Sequence, residues 1–215
     1  MSSSVVIAKN LRFDSRLAVV HETENWLAIA DLHYGYELSQ CAAGALFPAW
    51  GMQKIESRLA ALIADYRPQT VLFLGDLVHT TAASSAFHLW TSKLADAVPE
   101  LILIRGNHDR RLKHSALHDH WRIGRHVFHH GHQPPEMDSS EIGFSGHLHP
   151  AQTLSDGAGL SCKVPVLLQT ATGYILPAFS PWAVGGQQKH ISVIQSWVAR
   201  ERTRPLNPTG DRVSD

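Results

Sequence analysis

Acidic and imidazole side chains recur in five short clusters along 215 residues: Asp31-Leu32-His33, Gly75-Asp76, Gly106-Asn107-His108-Asp109, His130-Gly131-His132 and Gly146-His147-Leu148-His149. Carboxylate, imidazole and amide oxygen together suit divalent metals such as Mn²⁺. Asp31 and His33 are two residues apart, as are His147 and His149, so each pair can reach the same side from a strand end. Asp76 follows four apolar residues. A carboxylate buried there is costly unless cations neutralise it, and a position bridging two of them would do so. A pair of divalent metals at neutral pH is chiefly a device for attacking phosphate esters.

Taken singly, the clusters say little. Gly-Asp occurs by chance in most proteins, Asp-x-His is scarcely rarer, and a lone histidine is more often a hydrogen-bonded surface or core residue than a ligand. Gly-Asn-His-Asp after an apolar run is far more specific, and Gly-His-x-His adds to it. Five clusters in this order leave little room for coincidence.

The segments that must carry them have a clear pattern. Val5 to Ala8, Leu17 to His21 and Leu27 to Ala30 read as short strands, the last running into Asp31. Met52, Ile55, Leu59, Leu62, Ile63 and Tyr66 recur at helical spacing and end before Pro68. Val71 to Leu74 is a buried-strand run that delivers Gly75-Asp76. A second helix carries Phe87, Trp90, Leu94 and Ala97 and stops at Pro99; Leu101 to Ile104 then deliver Gly106 to Asp109. Strand, helix, strand, helix, strand implies parallel strands with right-handed crossovers and ligands at strand C-termini. Beyond residue 125 the pattern turns to strands: 125–129, 142–145, 164–170 and 191–199. The expectation is an α/β (α+β) fold with two mixed sheets flanked by helices, one domain over 1–201 and a disordered tail over 202–215.

Composition sets outer bounds. Hydrophobic residues make up 44% and charged residues 18%, as in soluble globular proteins. Neither a membrane span nor a secretory signal is apparent, so a cytoplasmic location is expected, with Cys41 and Cys162 reduced. Nineteen basic residues balance nineteen acidic ones, leaving no global field for nucleic acid. Locally, Arg105, Arg110, Arg111, Lys113, Arg122 and Arg125 outnumber Asp109 and Asp119. This is either a solvated helix face or an electropositive rim beside the metals. Between His33 and Met52 runs a long loop bearing Tyr34, Tyr36, Phe47 and Trp50, either a lid or substrate platform or a loop folded over the core. His114, His118, His120 and His126 have no motif behind them and read as surface residues.

The set resembles the calcineurin-like metallophosphoesterase superfamily across residues 25–150. That resemblance implies a four-layer αββα sandwich and a bimetal site. It places Asp31, His33, Asp76 and His149 on one metal and Asp76, Asn107, His130 and His147 on the other. His130, which directly precedes Gly131, matches the family's ligand better than His129 or His132. His108 would contact the phosphate and serve the leaving oxygen, Asp109 would orient it, and Arg110 would absorb charge. His132 would face the substrate side or have no role, and contact by His79 is left open.

Finer strings, Asp31 to Glu37, Gly75 to His79, His130 to Pro135 and Leu176 to Ser180, are similar to the DNA-ligase-associated, SbcD-related branch. The branch implies a DNA-repair endonuclease using two divalent ions (Mn²⁺, with Fe, Zn or Mg as others), single-stranded or flapped DNA as substrate, and a ligase and helicase as partners. A small-molecule (cyclic) nucleotide phosphodiesterase is the nearest alternative, and a non-catalytic scaffold the more distant one.

Overall fold

Four apolar residues at Val71–Leu74 sit at the centre of one of two facing mixed sheets. A computed structural model describes residues 4–112, 116–183, 185–186, 188, 190–199 and the strand at 205–206. In the first sheet, β1 (Ser4–Ala8), β2 (Leu11–Asp14), β3 (Ala18–His21) and β4 (Trp26–Ala30) form an antiparallel meander. To β4 are added β5 (Thr70–Leu74), β6 (Glu100–Ile104) and β7 (Leu117–His118), all parallel, in the order β1-β2-β3-β4-β5-β6-β7. The crossovers carry α1 (Tyr36–Ala42), α2 (Gly51–Tyr66) and α3 (Ser84–Ala97).

Every residue of β4 and β5 is buried, which explains their continuous apolar runs. Alternate residues serve opposite faces. Leu27, Ile29, Val71 and Phe73 pack with Ile55, Leu59 and Leu62 of α2 and with Phe87 and Leu94 of α3. Ala28, Ala30, Leu72 and Leu74 pack instead with Phe128, Phe144, Leu167 and Tyr174 of the second sheet. Trp26 locks that seam, its ring edge-on to Phe128 and Phe144 at 4.9 and 5.1 Å. Truncating such a fully buried aromatic costs about 3–5 kcal/mol.

The second sheet contains β8 (His120–Ile123), β9 (His126–His129), β10 (Ile142–Ser145), β12 (Ser161–Thr170), β13 (Gly173–Ile175), β14 (Gln195–Val198) and β15 (Pro205–Leu206). Its order is β15-β14-β12-β13-β10-β9-β8, with β11 (Ala151–Ser155) forming a hairpin with β12. Within it β9, β10 and β13 are parallel. Three of the four parallel strands of the first sheet (β4, β5 and β6) and two of the parallel strands of the second (β9 and β10) therefore end where the sequence clusters lie.

The two mixed sheets with flanking helices match expectation. On the outer face of the second sheet, however, Val166, Leu168, Ile175 and Val198 pack with Val164 of β12 itself and with Leu148, Ile191 and Val193 of irregular chain, and not with a helix among the described residues. Around the basic stretch, the described residues form a 3₁₀ turn (Asn107–Arg111) and two short strands (Leu117–His118 and His120–Ile123), not a helix face. Arg105 pairs with Asp119 and Arg122 with Glu141, so two of that rim's basic residues are partly offset. The loop after His33 contains a seven-residue helix, α1, where no helix was expected.

β2 and the β11–β12 hairpin were also not foreseen. In β2, Arg12 and Asp14 interrupt the apolar signal, and buried Asp14 is stabilised by Arg16 and Tyr66. Of the run 191–199 only Gln195–Val198 is strand. His126 is not a surface residue. It is buried, and its Nδ1 lies 2.7 Å from Glu24 Oε2, a partner 102 positions away that no local motif announces. His114 lies outside the described residues, as does the tail from 202 apart from Pro205–Leu206. Cys41 and Cys162 are both free thiols. No helix among the described residues is long and apolar enough to cross a membrane.

Candidate metal centre

Asp31 follows β4, Asp76 follows β5 and Asn107 follows β6; His130 follows β9, and His147 and His149 follow β10. One ligand atom each from Asp31, His33, Asp76 and His149 lie within 4.8 Å of one another, and the same holds for Asp76, His130 and His147. Asp76 belongs to both groups. Asn107 joins the second through Oδ1, 3.0 Å from His130 Nε2. The structure thus brings together all seven residues that the sequence proposed as ligands.

Close approach explains the glycines of the motifs. A Cβ on Gly75 would stand 2.3 Å from His130 Nδ1, and one on Gly106 would stand 2.1 Å from the Asp76 backbone N. A side chain at either position would displace a neighbouring donor. The donors themselves adopt costly backbone conformations. Asp31, His33, Asp76, His147 and His149 all have positive φ, between 42° and 71°. Each such non-glycine residue costs about 1–3 kcal/mol and persists where surrounding structure dictates it, commonly at functional sites.

The electrostatics fit cations. Asp31 and Asp76 are buried, and no lysine or arginine pairs with either among the described residues. Burial drives the Asp31 carboxyl up, against the pull of His149, His130 and the His147 backbone N–H. His33 is pushed down to about 3, first by burial and then by surrounding imidazoles, despite Asp76. His147 is also lowered, mainly by burial. Neutral imidazole is the ligating form. His149 alone is raised: burial pulls it down, but its bond to Asp31 outweighs that.

His130 provides a sharper test. Its Nδ1 faces the Leu74 carbonyl at 3.0 Å, so a neutral ring donates there and turns the lone pair of Nε2 inward. That lone pair faces Asn107 Oδ1 at 3.0 Å and Asp76 Oδ1 at 3.4 Å. Three acceptors aimed at one region are what a cation requires. Likewise His33 Nε2 and His149 Nε2 converge to 3.2 Å. The donor set fits two divalent ions.

Around the centre lie the remaining candidates. His108 is partly open to solvent, with Nε2 3.9 Å from Asp76 Oδ2, and its backbone N–H bonds Asp76 Oδ1. Asp109 does not hold the His108 ring by a hydrogen bond. Its two oxygens accept the backbone N–H groups of Leu77, Val78 and Gly106, tying the loop after β5 to the loop that carries His108. His132 lies 5.2 Å from His130, ring to ring, and exposed Arg110 is among the charges that hold it down, after burial and neighbouring imidazoles. His129 points elsewhere and is pushed to about 4, chiefly by burial. The sequence left His79 open; its ring lies 5.7 Å from His33 and 5.9 Å from His108. Ser180, not anticipated as part of the site, donates its N–H to the Asp31 carbonyl.

A paired-metal hydrolase site at the joined edge of two sheets is what this fold and donor set define. The calcineurin-like phosphoesterase family model matches residues 26–156, and the chain belongs to that family. It is a metal-dependent phosphoesterase. Among solved structures, nuclease MPE of Pseudomonas putida is 22% identical with a TM-score of 0.72, covering 96% of this chain and 100% of that one. The phosphoesterase YfcE of E. coli is 16% identical with a TM-score of 0.43, covering 88% and 96%. No curated protein sequence matches the chain.

Proposed function

We propose that this chain hydrolyses phosphodiester bonds, with nucleic acid as the substrate class and DNA repair as the setting that the branch resemblance suggests. Asp31, His33, Asp76 and His149 would hold one ion and Asp76, Asn107, His130 and His147 the other. Two such ions polarise a phosphoryl oxygen and make water reactive near neutral pH. Mn²⁺ suits this mixed oxygen and nitrogen donor set.

The observation that carries the reading is the position of His108. Its Nε2 stands beside the shared carboxylate yet faces the open side. An imidazole there can deliver a proton to a departing alkoxide, the group that a diester must release. Asp109 sets the His108 loop through backbone amides. Arg110 stands on the same rim, where a guanidinium can meet equatorial phosphoryl oxygens. His132 lines the edge beside His130 and His147.

The likeness to nuclease MPE supports the fold, and the branch motifs support the nucleic-acid substrate and the ligase and helicase partners. A Mn²⁺-supplemented panel of phosphomonoester, bis(p-nitrophenyl) phosphate, cyclic nucleotides and single-stranded DNA tests the reading. Cleavage of the diester and the DNA is expected. Turnover confined to a cyclic nucleotide would replace it with the small-molecule alternative.

A further inference from the structure

A continuous file of aromatic rings leads from the surface to the metal centre. Trp50, exposed at 43%, lies 4.3 Å from Trp182, ring to ring. Trp182 lies 4.7 Å from Phe47, which lies 5.5 Å from Tyr36. Tyr36 is 4.7 Å from His79, and His79 is stacked at 5.9 Å on His108. Four separate stretches of chain supply these rings: the segment after Asp31, the loop after β5, the loop after β6, and the segment after β13.

The file is a built feature rather than a chance patch. Glu37, 1% exposed, accepts the Trp182 indole N–H at 3.0 Å and the Met52 N–H at 2.7 Å. A buried carboxylate thus fixes the indole plane and the first turn of α2 together. Gly51 leaves room for it, since a Cβ there would meet Trp182 Nε1 at 2.0 Å. On the other side, the Phe179 and Ser180 N–H groups bond the Ala30 and Asp31 carbonyls, which ties the Trp182 segment to the first ligand. Beside it, His79 Nδ1 and Thr80 Oγ1 are buried without a hydrogen-bond partner among the described residues.

From this we infer that the ring file binds an unpaired nucleobase flanking the scissile phosphodiester. The inference rests on the phosphodiesterase reading above and specifies its substrate as single-stranded. A phosphodiester that also presents flat aromatic groups is a nucleotide, a file of rings running from the surface to the centre suits a chain of them, and bases held in a duplex have no face free for rings. Charge points the same way. The chain is formally neutral and two arginines of the basic rim are paired, so stacking rather than phosphate neutralisation must supply much of the grip.

The test compares Mn²⁺-loaded protein on a thymidine dodecamer, the same oligomer with abasic sites flanking the cut, and a duplex. Phosphate charge is equal in the two single strands. Stacking predicts about tenfold tighter binding and lower KM for the base-bearing strand. It also predicts tryptophan quenching on binding and a shallow dependence on salt. Trp50→Ala with Phe47→Ala should erase the preference, Trp50→Phe should retain it, and Leu160→Ala, on the remote β11–β12 hairpin, should retain it too. Equal affinity for both single strands, or a preference that survives loss of both rings, overturns the inference even if bis(p-nitrophenyl) phosphate is cut. Failure to cut any diester would instead overturn the phosphodiesterase reading.

Discussion

Gly146 passes so close to Asp31 that a Cβ on it would stand 2.6 Å from Oδ2, while the next residue, His147, gives its N–H to both oxygens of that carboxylate at 2.9–3.0 Å. Asp31 ends a strand of the first sheet and Gly146 ends a strand of the second. One carboxylate, a candidate metal ligand, therefore also serves as a clasp between the sheets. His130 makes a second link, its Nδ1 at the Leu74 carbonyl and its ring against Gly75, so the two sheets cannot shift against each other without disturbing the candidate metal centre.

Gly146→Ala follows directly from this contact. The methyl must displace the Asp31 carboxylate or push the β10 turn outward. A misplacement of that size should cost at least about a hundredfold in kcat. Elemental analysis should show fewer than two metal ions per chain, with circular dichroism still reporting the fold. Full stoichiometry with normal turnover would contradict the clasp.

His108 and Asp76 should separate cleanly in mutants. His108→Ala removes a group outside both ligand sets, so metal content should stay at two while diester turnover drops by about 10²–10⁴. Asp76→Asn removes the negative charge of the shared candidate ligand, so metal content itself should fall. If His108→Ala hydrolyses bis(p-nitrophenyl) phosphate at the normal rate, that imidazole has no part in the reaction.

Far from the site, Glu24 links His126 and Trp26 through Oε2 at 2.7 and 2.9 Å. Burial alone would raise its carboxyl, but these two bonds outweigh that and hold it below its ordinary value. Burial likewise lowers His21, which packs against the same group. A depressed carboxyl stabilises the fold above its unfolded value of about 4.3 and loses that contribution as pH falls through the folded value. A depressed histidine loses stability as pH falls below about 6.5. Both therefore weaken the fold in acid. Glu24→Gln should lower Tm at neutral pH yet flatten its decline below about pH 4.5. Parallel Tm–pH curves for the two proteins would remove Glu24 from the acid response.

The metal centre was largely legible because its candidate donors follow apolar runs that are wholly or mostly buried. Val71–Leu74 before Asp76 and Leu101–Ile104 before Asn107 announce strand ends without further information. Chemistry assembled across distance was not. Nothing near His126 signals Glu24, and nothing in α1 signals that Glu37 will be buried to hold Trp182. Asp109 shows the same limit. Its place beside His108 suggested a side-chain partner, whereas its carboxylate went to backbone amides of another loop. Backbone conformation was equally silent, since aspartate and histidine at positive φ look in sequence like any others.

Strain outside the site carries no such function, and Arg67 shows it. This residue caps α2 in the left-handed region, at φ 46° and ψ 52°, with its N–H on the Ile63 carbonyl. Glycine is the usual residue there, because a Cβ costs about 1–2 kcal/mol in that conformation. Glycine also gains unfolded-state freedom, which takes back roughly 0.5–1 kcal/mol. Arg67 is exposed and precedes β5, at the end opposite Asp76, so little else is lost. Arg67→Gly should therefore stabilise the chain by about 0.5–1 kcal/mol and raise Tm by about 1–4 °C. Diester turnover should be unaffected. Arg67→Ala keeps the Cβ and should give no such gain; equal Tm shifts in both variants would trace the effect to the lost charge instead of the backbone.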